Sequence, residues 1–142
     1  MKKNNLLIIA EAGVNHNGSL KQAMRLIDLS KKAGADYVKF QYFMATDLAT
    51  KKAKAAEYQI KNLNKKISQF QILKKLELSK NDYKILINYA KKRKIKFLLS
   101  VFDHKSVEVL KSLKLNEVKI PSGEINNYPL LDCVGKNFKK VF

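Results

Sequence analysis

Polar and charged side chains occur at the ends of four short apolar runs that we predict to be strands. They are Glu11 after the first run, Lys39 and Gln41 in the second, Ser100 after the third, and Lys119 with Glu124 around the end of the fourth. Strands of a parallel sheet are normally buried on both faces and consist of continuous apolar residues. Polar groups that collect at the carboxyl ends of such strands indicate a site at that edge of the sheet.

The two lysines predict an anion site. Lys39 and Gln41 are two residues apart, so their side chains point to the same side of the strand. Lys119 lies in the middle of an apolar run, and its neighbours point to the other side. Two half-buried lysines on one face repel each other and need an anion or paired carboxylates between them. Glu11 and Glu124 are candidate partners, and a phosphate and a carboxylate of a ligand are the alternative.

Strands and helices are predicted to alternate along the chain. The strands are expected at 6–11, 36–41, 95–100 and 118–120. Three helices between them are predicted to be capped by Ser19, Asn81 and Asp103, and a short helix is expected after Pro129. Residues 42–78 are longer than an ordinary connection, which predicts a functional loop with short helices. This alternation is typical of β/α units around a parallel sheet.

The composition narrows the classes of function. A chain of 142 residues is long enough for one domain, and 46% hydrophobic residues can form a core. The net charge of +17 raises nucleic acid as a partner. The excess is almost all lysine, spread along the chain, so we expect a solvated basic surface without specific nucleic-acid binding. No apolar run predicts a membrane span or a secretory signal, so a cytoplasmic protein is expected. The single cysteine, Cys133, excludes an internal disulfide.

Two long stretches resemble the sialic acid synthase family, which includes N-acetylneuraminate, legionaminic acid and pseudaminic acid synthases. They are IIAEAGVNHNGSLKQAMRLIDLSKKAGADYVKFQ, which begins at residue 8, and KIPSGEINNYPLL, which begins at residue 119. The resemblance implies a (β/α)8 barrel, of which this chain is expected to form the N-terminal half with about four parallel strands and outer helices. It also implies condensation of phosphoenolpyruvate with an N-acylated amino sugar, such as N-acetylmannosamine, to a sialic-type acid and phosphate.

The resemblance also implies roles for the residues at the strand ends. Positions 39, 41, 100 and 119 match those that bind phosphoenolpyruvate in the family, and Glu11 matches an acidic residue assigned to proton handling. Glu124 matches a carboxylate that contacts the amino sugar. Val101 replaces a proline that is common in relatives. Asn126 and Asn127 are expected to order the loop around Glu124.

The family further implies a divalent metal, manganese or magnesium, and a homodimer. Its metal-binding histidines match no position here, so the metal ligands are expected to lie outside this chain. His16 does not match them either, and its NHNG loop is predicted to be a turn that positions Ser19, with Asn17 and Gly18 supplying the backbone geometry. A whole barrel needs about 250 residues. We therefore expect residues 1–142 to be a partial synthase barrel domain that stops at the start of a fifth strand, without the family's C-terminal antifreeze-like domain, and to be inactive alone.

Two other functions remain open from the sequence. One is a different phosphoenolpyruvate-dependent aldol-type synthase on a barrel. The other is a non-enzymatic α/β module that binds anions through its lysine-rich surface. Clustering of polar residues at the strand ends favours an enzyme, whereas binding by lysines away from those ends would favour the module.

Overall fold

The fold is an α/β arrangement of parallel strands and outer helices. The computed structural model describes residues 6–50, 53 and 68–142. The strands are β1 (Ile9–Gly13), β2 (Tyr37–Gln41), β3 (Lys96–Ser100), β4 (Glu117–Val118) and β5 (Lys140–Val141). The helices are α1 (Leu20–Lys32), α2 (Ala45–Leu48), α3 (Gln69–Leu76), α4 (Lys80–Lys92), α5 (His104–Ser112) and α6 (Tyr128–Asn137). A 3₁₀ turn, Ser122–Glu124, follows β4.

All strand pairs in the described residues are parallel and follow the order of the chain. β1 pairs with β2, β2 with β3, and β4 with β5. A parallel bridge between Ser100 and Lys119 connects β3 to the segment after β4. The four predicted strands are therefore parallel and follow one another in order, but β4 pairs with β5 in a second sheet and approaches β3 through the Ser100–Lys119 bridge. The predicted boundaries of all four strands shift by one to three residues, most at the first strand, and the last residues of the chain add the short strand β5.

Side chains alternate between the two faces of the sheet. Val38, Phe40, Phe97 and Leu99 belong to the apolar core that the helices cover. Residues at the intervening positions, such as Lys39 and Ser100, point to the opposite face, because successive side chains of a strand alternate. α1 packs against α4, and α5 packs against α6. This layer of helices leaves the second face of the sheet available for polar chemistry.

Side-chain caps explain where most helices begin. Ser19 Oγ accepts a hydrogen bond from Gln22 N at the start of α1, and Asp103 does the same for Ser106 N at the start of α5. The prediction that Asn81 caps α4 is wrong. Ser79 is the cap, because its hydroxyl accepts from the Asp82 N–H while the Asp82 carboxylate accepts from the Ser79 N–H. This reciprocal pair satisfies two backbone N–H donors, whereas a single Asn cap would satisfy one.

The long connection after β2 contains α2 and α3, as expected for a loop with short helices. Residues 51–52 and 54–67 of the predicted loop lie outside the described residues. The prediction of a helix after Pro129 is close, because α6 begins at Tyr128 and is capped by Asn127. Across the part of the chain that is described, no helix is long and apolar enough to cross a membrane.

Candidate functional site

Strand register brings the predicted polar residues to one edge and one face of the sheet. Glu11 is the register partner of Lys39, Gln41 is the partner of Ser100, and Ser100 is bridged to Lys119. Register partners in a parallel pair point to the same side, and Lys39 and Gln41 share a side because they are two residues apart. These five side chains therefore lie on two neighbouring rungs of the sheet, Glu11 with Lys39 on one and Gln41 with Ser100 and Lys119 on the next. We call these five residues the polar edge.

A β-bulge sets the position of Glu11 on the polar edge. The pairing of β1 with β2 slips between Glu11 and Gly13, so that Ala12 is an extra residue in β1. Gly13 adopts a left-handed backbone with φ of +53°, and a Cβ added there would lie 3.1 Å from Glu11 Oε1 and 3.7 Å from Gln41 Nε2. Bulges commonly redirect side chains beside functional sites. The bulge and the absence of a Cβ at Gly13 give the Glu11 carboxylate room to turn toward β2.

Lys39 is a buried cation with one counter-ion among the described residues. Its Nζ lies 2.7 Å from Glu11 Oε1, and its side chain is 4% exposed whereas that of Glu11 is 58% exposed. Burial lowers the pKa of Lys39 despite the hydrogen bond and attraction from Glu11, and the charge of Lys119 lowers it further. The two lysines are therefore close enough to repel each other, and together they carry one more positive charge than Glu11 neutralises.

Ser100 adds an unsatisfied polar group beside the lysines. Its side chain is buried, and its Oγ has no hydrogen-bond partner within the described part of the chain. The backbone fixes Ser100 and Lys119 to each other, because the Lys119 N–H donates to Leu99 O and the Val101 N–H donates to Lys119 O. A buried hydroxyl without a partner is uncommon and costs free energy unless a ligand or water completes it.

Glu124 stands apart from this ion pair. It is half-buried in the 3₁₀ turn after β4, and its Oε2 accepts a hydrogen bond of 2.8 Å from Asn127 Nδ2. Asn127 also caps α6 through Leu130 N, so one side chain ties the turn to the helix. The expectation that Asn127 orders the loop around Glu124 is confirmed, while Asn126 is exposed. Glu124 makes no ion pair with a lysine in the described chain, which leaves its carboxylate oriented by a neutral group.

His16 is buried in the helix-covered layer, where it packs near Phe40 with ring centroids 6.0 Å apart. Its Nδ1 accepts a hydrogen bond of 3.1 Å from the Gly18 N–H, and Asn17 and Gly18 both have positive φ. These contacts agree with the predicted role in a turn. Burial also lowers the pKa of His16.

The described residues do not fit a metal centre. Across the described residues, no group of three or more histidine, cysteine, aspartate or glutamate side chains is arranged to hold a metal ion. At the polar edge, the carboxylate nearest the lysines is already paired with Lys39. A metal cation beside Lys39 and Lys119 would meet repulsion there, so we derive no catalytic step through a metal.

Comparison with known proteins gives the family. The NeuB family profile matches residues 26–142, which include every residue of the polar edge except Glu11. This match covers most of the chain. The chain belongs to the NeuB family. The resemblance to sialic acid synthases is thereby confirmed, and so is the fold class, an α/β unit with the parallel strands and outer helices of part of a (β/α)8 barrel.

Curated NeuB relatives include two acid synthases. The chain is 50% identical over 141 residues to the N,N'-diacetyllegionaminic acid synthase of Campylobacter jejuni, covering 99% of this chain and 42% of that protein. It is 47% identical to the N,N'-diacetyllegionaminic acid synthase of Legionella pneumophila, covering 94% of this chain and 38% of that protein. The chain therefore spans about 40% of the length of these relatives.

A solved structure of a NeuB relative matches the fold. The N-acetylneuraminic acid synthetase of Leptospira borgpetersenii, crystallised with citrate, superimposes with a TM-score of 0.74 at 29% identity. The match covers 94% of this chain and 42% of that protein. In both the sequence and the structure comparisons, this chain thus matches less than half of the length of the relative.

Two close approaches were not predicted from the sequence, and the first of them shapes the site. One is Gly13, whose missing Cβ gives Glu11 room to reach Lys39. A glycine at the end of a strand, two residues after a carboxylate, could have signalled a bulge. The other is the close approach of the NHNG loop to α3, where a Cβ on Gly18 would lie 2.2 Å from Lys75 O. No local pattern signals that second contact, because it joins segments far apart in the chain.

Proposed function

We propose that this chain supplies the phosphoenolpyruvate-binding part of a NeuB-family synthase. The reaction is the condensation of phosphoenolpyruvate with an N-acylated amino sugar to a sialic-type acid and inorganic phosphate. In this proposal Lys39, Gln41, Ser100 and Lys119 bind phosphoenolpyruvate, Glu11 handles the proton of the attacking water, and Glu124 contacts the amino sugar.

The observation that carries this proposal is the excess of positive charge at the polar edge. Strand register places Lys39 and Lys119 on one face at the same edge of the sheet, because Gln41 is the partner of Ser100 and Ser100 is bridged to Lys119. In the described residues one carboxylate, Glu11, pairs with Lys39, and no carboxylate pairs with Lys119. Phosphoenolpyruvate offers a phosphate and a carboxylate on a small skeleton, which suits two cations. Charge-assisted hydrogen bonds to such groups are about twice as strong as neutral ones.

Ser100 supports the same assignment. Its buried hydroxyl has no partner in the described chain and lies in register with Gln41. A phosphate or carboxylate oxygen would satisfy the hydroxyl and would remove the cost of leaving it unpaired. Fixed lysines would also stabilise negative charge that builds up on the phosphate as its bond to carbon breaks.

Glu124 has the properties of a group that binds a neutral sugar. Asn127 orients the carboxylate, and no lysine in the described chain neutralises it. A free carboxylate accepts hydrogen bonds from sugar hydroxyls and amides. The names of the two legionaminic acid synthases favour a diacetylated amino sugar as the first to test, with N-acetylmannosamine as the second.

A hybrid enzyme tests the function. Residues 1–142 would replace the matching N-terminal 42% of the Campylobacter jejuni synthase, to which they are 50% identical. Phosphate release would be followed with phosphoenolpyruvate, manganese or magnesium, and the acylated amino sugars. We expect turnover that depends on both substrates, and loss of turnover when Lys119 in the hybrid is changed to alanine.

The 142-residue chain alone is the control for the hybrid in the same phosphate-release assay. We propose that it gives no turnover alone, because the relatives that carry the activity are more than twice as long. A folded hybrid that releases no phosphate with any of the sugars would count against the synthase assignment. Full activity of the hybrid with Lys119→Ala would count against the lysine assignment while leaving the family reaction in place.

A further inference from the structure

The ion pair between Glu11 and Lys39 joins a fixed group to a movable one. Lys39 is in the middle of β2 and its side chain is 4% exposed, so its ammonium has little freedom. The Glu11 side chain is 58% exposed and leaves the sheet at the bulge of β1. An exposed carboxylate is readily hydrated, whereas a buried ammonium is not. If the pair opens, Glu11 moves and Lys39 stays.

A ligand anion and Glu11 compete for the same cation. Glu11 Oε1 already occupies a hydrogen-bonding position on Lys39 Nζ at 2.7 Å. With the carboxylate in that place, an incoming phosphate would face its negative charge as well as the two lysines. Glu11 therefore neutralises part of the charge that would attract the ligand, and it must give up its contact before the ligand can use Lys39 fully.

We propose that Glu11 is an internal stand-in for the substrate anion and that phosphoenolpyruvate displaces it from Lys39. This inference rests on the proposed function, and it adds a positioning and selectivity role to the proton handling proposed for Glu11. An anion with a single charge gains too little from Lys39 to replace the carboxylate. An anion with a phosphate and a carboxylate engages both lysines and replaces it. The displaced carboxylate is then free of its lysine and available as a base beside the bound substrate.

The experiment measures phosphoenolpyruvate affinity in three versions of the 142-residue chain by calorimetry at fixed ionic strength. They are the wild type, Glu11→Gln and Glu108→Gln. Glu108 is an exposed residue of α5 paired with Lys111, so its change alters the net charge equally, away from the polar edge. We expect Glu11→Gln to bind about tenfold more tightly than the wild type, and Glu108→Gln to match the wild type within about twofold.

A second probe and a second variant make the result decisive. Pyruvate, which has one charge, should gain more from Glu11→Gln than phosphoenolpyruvate does, because it cannot displace the native carboxylate. Glu11→Ala should behave like Glu11→Gln, and circular dichroism would verify that both variants are folded. A residue that merely maintains structure would weaken binding when changed, which is the opposite sign.

Each outcome bears on the inference. Equal or weaker phosphoenolpyruvate binding by both folded Glu11 variants, with a wild type that binds, would overturn the stand-in role and leave the proposed function untouched. Tighter binding by Glu108→Gln as well would show a general charge effect and would also overturn it. No binding by the wild type or by either Glu11 variant would reject the phosphoenolpyruvate site itself, and the stand-in role with it.

Discussion

Replacing Lys39 by methionine should raise the stability of the chain while it weakens anion binding. Methionine keeps an unbranched side chain of similar length and removes the buried charge. Breaking a buried ion pair usually costs several kcal/mol because the remaining charge is left buried. Here the remaining partner, Glu11, is 58% exposed and can be hydrated. The variant therefore avoids that cost and loses the desolvation penalty of the ammonium. We expect a gain of about 1 kcal/mol, or roughly 2–4 °C in Tm.

The pH dependence of this gain follows from the lowered pKa of Lys39. Burial holds this pKa below its ordinary value of 10.5. Between the folded pKa and 10.5 the unfolded chain binds more protons than the folded chain, so the stability of the wild type rises with pH in that window. The penalty from the buried charge is fully present below the folded pKa and is relieved as the pH rises. The stability advantage of Lys39→Met should thus be largest near pH 7 and should shrink toward pH 10.5.

Binding should change in the opposite direction. A hydrogen bond to a charged group contributes roughly 1.5–3 kcal/mol, so loss of Lys39 should weaken phosphoenolpyruvate binding by about 10- to 150-fold. Lys96→Met is the matched control, because it removes the same charge at the amino end of β3, where Lys96 donates to the Tyr37 hydroxyl. The control should bind normally and lose a little stability. A Lys39→Met chain that is less stable than the wild type and still binds phosphoenolpyruvate would refute this reasoning.

Three further predictions concern Ser100, Gly18 and His16. Ser100→Ala should leave the Tm unchanged or slightly raised in thermal melts, because the buried hydroxyl has no partner in the described chain. The same change should weaken phosphoenolpyruvate binding by about 2- to 15-fold in calorimetry. Gly18→Ala should lower the free energy of unfolding by about 2 kcal/mol more than Gly34→Ala in urea titrations. Both glycines have positive φ, but of the two only Gly18 would place an added Cβ 2.2 Å from Lys75 O. Equal free energies of unfolding for the two variants would contradict this contact. Burial lowers the pKa of His16, so near pH 6.5 the unfolded chain takes up a proton that the folded chain does not. The Tm of the wild type should therefore fall as the pH decreases below 6.5, and the fall should be smaller in His16→Asn. Equal falls in Tm would exclude His16 as the cause.

The order of the strands and the polar edge could be predicted because both follow from local pattern. Alternation within a strand puts Lys39 and Gln41 on one side, and parallel order then brings Ser100 and Lys119 to the same edge. Helix starts were predictable where a single residue decides them, as at Ser19 and Asp103. The cap of α4 was misplaced because a reciprocal pair, Ser79 with Asp82, outweighs a lone asparagine within the same turn.

The partners of the charged residues could not be predicted. The sequence offered both Glu11 and Glu124 for the lysines, and the structure pairs Lys39 with Glu11 alone of the two. That choice depends on the bulge at Ala12 and on the space at Gly13, which are features of backbone geometry and not of residue type. The burial of His16 beside Phe40 likewise depends on how the β1–α1 loop folds over the sheet.

The most direct test of the central claim is a map of the phosphoenolpyruvate site by NMR. Amide shifts of the 142-residue chain would be followed as phosphoenolpyruvate is added at physiological salt. We expect saturable shifts centred on Gln41, Ser100 and Lys119, with smaller changes at the lysines on the helices. Shifts spread over the lysine-rich surface that vanish with added salt, with none at the polar edge, would contradict a phosphoenolpyruvate site there and favour a non-specific anion-binding module.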